Sequence, residues 1–150
     1  MPTKHVKTWI VLTNTNNCKV YVYNCNTQPS QLHLIQTIDH PENRLRDIEL
    51  TSDKPGHYIA SDSAHGAYSQ STDPKEIRID DFSRELAKML EHNRTANAYD
   101  QLFIIAEAKM NGRLCKHLND HVKQLIAKNI KKDLMNLSAH ELLKFLQTDL

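Results

Sequence analysis

Glycine is scarce in this chain, with three in 150 residues, and neither G-x-G-x-x-G nor a P-loop occurs. The backbone turns that cradle phosphates in those motifs need glycine, so a nucleotide-binding fold of that kind is not expected. Cysteine is nearly as rare. Cys18, Cys25 and Cys115 form an odd set without a close pair, which argues against a disulfide scaffold and for reduced thiols in a cytoplasm. Excess charge is absent too, since 19 Lys and Arg face 18 Asp and Glu for a formal net charge of +1. No global field exists to steer a polyanion, and any nucleic-acid surface must be a local patch. Long apolar runs are also missing. The short run Trp9 to Leu12 soon meets Asn14, Asn16 and Asn17, so neither a secretory signal nor membrane insertion is expected.

What is present is the composition of a globular protein, 39% hydrophobic and 25% charged, and 1–150 is the right length for one domain. The first forty residues read as three strands. Thr8 to Thr13 is β-branched and aromatic, Lys19 to Tyr23 alternates Val with Tyr, and Leu32 to Ile38 alternates as well. In the third strand, strict alternation puts Leu32, Leu34 and Gln36 on one face and His33, Ile35 and Thr37 on the other. Short polar connections between the three imply an antiparallel meander. The pattern then dissolves from Asp39 to about Pro74. The Ser-, Asp-, Gly-, Pro- and His-rich stretch Thr51 to Asp73 reads as a long mobile loop.

Ile77, Ile79, Phe82, Leu86, Met89 and Leu90 then recur at helical spacing, which predicts a helix from about Lys75 to Asn93. A fourth strand, Gln101 to Ala106, leads into a helix from Ala108 to about Leu118. Asn119 is placed to cap a short turn, a fifth strand runs from about Leu125 to Ile130, and a Ser138/Glu141 capping box opens the last helix. The order of elements predicts an α/β domain. Its five-stranded mixed sheet, order 3-2-1-4-5, joins the meander to two parallel strands, with helices on both faces, as in ribonuclease H-like architectures.

Two-metal hydrolysis needs clustered carboxylates. Strand one supplies none, and strand four ends at Glu107 without an acidic partner. His117 and His121 stand four apart near Cys115, but the residues between them are Leu118, Asn119 and Asp120. No metalloprotease Glu is present, and surface histidines are the expectation, with no metal and no cofactor. Ser61, Asp62, Ser63 and His65 crowd the loop without a G-x-S-x-G elbow. The densest constellation is basic. Lys109, Arg113, Lys116, Lys123, Lys128, Lys131 and Lys132 fall in a stretch whose one acid is Asp120. Such a stretch suits RNA phosphates, or is a solvated face whose lysine stems cover apolar surface.

Four segments carry a resemblance. His40-Pro-Glu-Asn-Arg-Leu-Arg-Asp-Ile-Glu-Leu-Thr-Ser-Asp-Lys-Pro-Gly56, Asp73-Pro-Lys-Glu76 with Phe82-Ser-Arg-Glu-Leu-Ala87, Asn97 to Ala106, and Ile130 to Leu134 with Leu137 to Leu142 occur in order along the chain. Together they resemble the bacterial host attachment protein family. That family in turn resembles the middle domain of archaeo-eukaryotic release factors, where a GGQ loop promotes attack of water on a peptidyl-tRNA ester. The matching place here is Ser63 to Gln70. It has one glycine, Gly66, beside His65, and Gln70 stands four residues on. The resemblance therefore implies a ribosome- or tRNA-associated protein acting in translation rescue, with a degenerate loop. If the chain is an enzyme, peptidyl-tRNA ester hydrolysis would be its reaction, with His65, Gly66 and Gln70 at the site. The alternative is a non-catalytic host attachment or protein-interaction factor, docking through the loop and the Tyr21/Tyr23 face.

Overall fold

Six consecutive residues, Thr8 to Thr13, are buried in strand β1 (Thr8–Thr13), as expected of a β-branched and aromatic strand covered on both faces. The computed structural model describes residues 6–24, 29–40 and 73–148. Asn14 starts the first turn by accepting from the backbone amides of Asn16 at 2.8 Å and Asn17 at 2.7 Å, the local bonding that makes Asn a turn residue. Strand β2 (Asn17–Asn24) returns antiparallel to β1. Strand β3 (Gln31–Asp39) pairs antiparallel on the outer side of β2.

Helix α1 (Pro74–Thr95) begins with Asp73, whose side chain accepts from Lys75 N at 2.9 Å, and with proline in its first turn. Both are standard start signals. It ends just before Asn97, which takes a φ of 60°, a conformation Asn tolerates better than most residues. Strand β4 (Gln101–Ile105) then lies parallel to β1. Helix α2 (Ala108–His117) and the short α3 (Asp120–Lys123) lead to strand β5 (Ile126–Ile130), parallel to β4. Helix α4 (Ala139–Thr148) closes the described chain. The sheet order is 3-2-1-4-5, as the order of sequence patterns predicts.

Two apolar layers sandwich the sheet. Trp9, Val11, Cys18, Val20, Leu102 and Ile104 face Ile79, Phe82, Leu86 and Leu90 of α1, with Met110, Leu114 and Val122 of α2 and α3 beside them. Ile10, Leu12, Tyr21, Tyr23, Phe103 and Ile105 face Leu142 and Leu146 of α4. Burial of the Cys18 thiol pushes its pKa up to about 12, so it is a core side chain and not a nucleophile. The capping box of α4 forms as read. Glu141 N donates to Ser138 Oγ at 3.1 Å, and Ser138 N donates to Glu141 Oε1 at 3.0 Å.

Three expectations are corrected. Ile35 is an extra residue in β3, because Val20 pairs with Gln36 while Tyr21 pairs with Leu34. This bulge reverses the alternation. Leu32 and Leu34 share the face of Tyr21, whereas Gln36 and Ile38 share that of Val20. Ile77 is exposed at 43%, because at 100° per residue it lies on the side of α1 opposite Ile79, Phe82, Leu86 and Leu90. Finally, Tyr21 and Tyr23 are buried at 2% and 7%, within the layer that includes α4, so they offer no docking face.

Candidate functional site

The basic stretch divides in two on folding. Its first part lies along α2, where Lys109, Arg113 and His117 stand four apart and so share one helix face. Across from them, Glu76 and Asp80 share a face of α1. Lys109 Nζ donates to Glu76 Oε1 at 3.1 Å. Arg113 pairs with Glu76 and lies 4.0 Å from Asp80. His117 Nε2 meets Asp80 Oδ1 at 2.8 Å. Arg84 binds Asp80 from within α1 at 3.0 Å. These bonds hold the Asp80 carboxyl below the usual carboxylate range, first through the His117 hydrogen bond and then through the nearby charges of His117, Arg84 and Lys116.

This seam joins two helices. The cations of α2 are matched to acids of α1; Arg113 is largely enclosed, whereas Lys109 stays exposed beside its partner. A signal for the seam exists in the sequence, in two acids at i and i+4 on one helix and Lys, Arg and His at i, i+4 and i+8 on the next. It becomes decisive only once the helices are known to be neighbours.

The second part of the stretch lies along the other edge of the sheet. Lys123, Lys128, Lys131 and Lys132 are exposed. None is in an ion pair among the described residues. Lys132 Nζ stands 5.4 Å from the centre of the Phe145 ring. Lys116 is exposed on α2, near enough to Asp80 to lower its carboxyl pKa.

Other candidates have structural partners. Glu107, the acid at the end of β4, caps α2 by accepting from Met110 N at 2.7 Å and Lys109 N at 3.2 Å. Asn119 separates His117 from His121 by capping α3, accepting from Val122 N at 2.9 Å. Cys115 Sγ lies 3.5 Å from the side-chain amides of both Asn111 and Asn129. No group of three or more His, Cys, Asp or Glu is gathered as metal ligands among the described residues. His65, Gly66 and Gln70, with Ser61, Asp62 and Ser63, lie outside the described residues.

The surface that sequence reasoning overlooked is the outer edge of β3. This nine-residue strand is exposed along most of its length, and among the described residues it pairs with β2 alone. At its bulge Leu34 and Ile35 are 50% and 48% exposed. From Gln31 to Ile38 it holds no Lys, Arg, Asp, Glu or Pro, the residues that commonly block edge-to-edge pairing. The opposite edge, β5, carries exposed Lys128 at its centre.

No described helix is long and apolar enough to cross a membrane. An uncharacterised protein of Rickettsia prowazekii (strain Madrid E) is similar to this chain at 31% identity, over 69% of this chain and 85% of that protein. The family model described as "protein required for attachment to host cells" matches residues 9–146. That match spans all five strands and nearly the whole of the final helix, and the chain belongs to this host-attachment family.

Proposed function

We propose that the protein is a non-catalytic interaction factor that recognises a protein partner through the outer edge of β3. The observation that carries this reading is a backbone edge with no further strand among the described residues and no charge from Gln31 to Ile38, beside two half-exposed apolar side chains. A partner segment in extended form would add as a sixth strand. Main-chain hydrogen bonds would supply affinity, and contact with Leu34 and Ile35 would supply selectivity. The family description, attachment to host cells, agrees with a role in protein contact.

The test is substitution at the edge. Leu34→Lys with Ile35→Lys places two charges where partner strands would pack, at exposed sites that tolerate them. A bacterial strain carrying this variant is expected to attach to host cells at the level of a deletion strain, with the purified variant still folded by circular dichroism. Wild-type attachment by the variant, beside a defective deletion strain, would refute the edge as the contact.

A second reading rests on the four lysines near β5. Spread over one edge, they suit the phosphates of RNA, in a ribosome- or tRNA-associated role of the release-factor kind. Their simpler role is to guard that edge against strand addition. Replacing Lys128, Lys131 and Lys132 by Glu decides between them. If this reading holds, cosedimentation with ribosomes falls at least tenfold, and the wild type also loses binding steeply between about 50 and 200 mM salt. Binding that ignores both changes excludes the phosphate contact.

A further inference from the structure

The flank of α1 opposite the charged seam presents a different chemistry. Lys75, Arg78 and Phe82 follow one another at three- and four-residue spacing and share a face. His40, the residue after β3, covers that face. Its ring stacks on Phe82 with centroids 5.3 Å apart and planes 13° apart. Its Nε2 stands 3.0 Å from the Arg78 carbonyl oxygen. A carbonyl can only accept, so Nε2 is the protonated nitrogen and donates. That assignment leaves Nδ1 as the ring atom available to something else. His40 is 3% exposed, and Nδ1 is buried without a partner among the described residues. Nη2 of Arg78 is buried without one as well.

Such an arrangement is costly when empty. A guanidinium nitrogen removed from water needs an acceptor, and an unpaired one costs more than a neutral group would. The nearby acids of α1 are engaged elsewhere. Glu76 holds Lys109 and Arg113, Asp80 holds Arg84 and His117, and Asp81 lies 3.7 Å from Arg84. Asp73 caps the helix. The positive end of a 22-residue helix dipole adds to the field on this flank, and Lys75 is exposed there.

We propose that this flank is a binding site for a phosphate group, with Arg78 Nη2 and His40 Nδ1 as buried contacts and Lys75 as the outer countercharge. Phosphate suits both states of His40. An imidazolium Nδ1–H donates to a phosphate oxygen, and a neutral Nδ1 accepts from a P–OH. The group would come either from free phosphate or from the terminal phosphate of a nucleotide chain. This site is separate from the β3 edge proposed above as a protein contact.

The experiment titrates the full-length protein with inorganic phosphate against potassium chloride of equal ionic strength and reads the melting temperature. A saturable rise of about 5 °C is expected once phosphate exceeds its dissociation constant roughly 100-fold. Arg78→Met keeps the length of the stem and removes the buried charge. This variant is expected to melt at or above the phosphate-free wild type and to show no phosphate response, which a merely structural arginine would not do. A wild type without a phosphate-specific rise, or a variant that keeps one, would overturn the site. Should R78M fail to fold, the phosphorus resonance of inorganic phosphate decides on the wild type alone, since saturable broadening supports binding and its absence excludes it. A trinucleotide with a 5′-phosphate, compared with its 5′-hydroxyl form, identifies the source. Tighter binding than free phosphate points to a nucleotide end, and equal binding points to phosphate itself.

Discussion

Replacing Phe82 by Ala is expected to remove about 3–5 kcal/mol of stability. For a chain of this length that is a fall of roughly 10 °C in melting temperature. Phe82 is completely buried, in the layer formed by Ile79, Leu86 and Leu90 against Val11, Val20 and Ile104. Truncation to Ala removes the ring and leaves a cavity that surrounding strands cannot close, because β1 is held on both sides by β2 and β4. The ring has a second duty. It is the platform on which His40 stacks, so its loss also releases the residue that ties the end of β3 to α1. Urea unfolding checks the size of the effect. A loss below about 1 kcal/mol would mean that the site collapses freely, contrary to close packing here. Phe82→Leu separates the two duties, since it preserves most of the volume and should cost less than about 1.5 kcal/mol.

The second large effect is a change in the shape of the pH–stability curve when Asp80 becomes Asn. In the folded protein the Asp80 carboxyl lies below its ordinary range, chiefly because His117 bonds to it. A carboxyl whose pKa is lower folded than unfolded binds fewer protons in the native state. Its contribution is therefore present above the unfolded value, about 3.9, and is lost as pH falls through the lowered folded value. Asp80→Asn removes that contribution at neutral pH and flattens the acid limb of the curve. Asp80→Ala goes further by leaving His117 without its acceptor and Arg113 with Glu76 alone, for a loss of about 1–2 kcal/mol at pH 7. Denaturant titrations from pH 2 to 7 measure both. If D80N and the wild type lose stability in parallel below pH 4, the seam does not couple to acid unfolding.

Much of the architecture was legible in the residues. The strand run Thr8 to Thr13, the helix read from about Lys75 to Asn93 and the capping box at Ser138 each follow a local propensity or a hydrophobic period, and they appear within a residue or two of where the pattern places them. The sheet order followed because short turns enforce antiparallel neighbours and helical crossovers enforce parallel ones. Legibility stopped at features that depend on two segments meeting. The bulge at Ile35 has no local signature, since an extra residue is visible only against the strand it pairs with. The burial of Tyr21 and Tyr23 depends on the layer that α4 brings to that face. The basic stretch gives no local sign of which of its residues have acidic partners. In space, its first members meet Glu76 and Asp80, more than thirty positions away in the chain.

Local patterning was enough to specify the elements and their order in the sheet, because hydrophobic period and turn chemistry act within a few residues. Which charges hold helices together and, among the described residues, which edge has no further strand and which buried nitrogens lack a partner followed from the approach of distant segments. A cation's availability is a property of its neighbours in space, and α1 is the neighbour that the basic stretch does not contain.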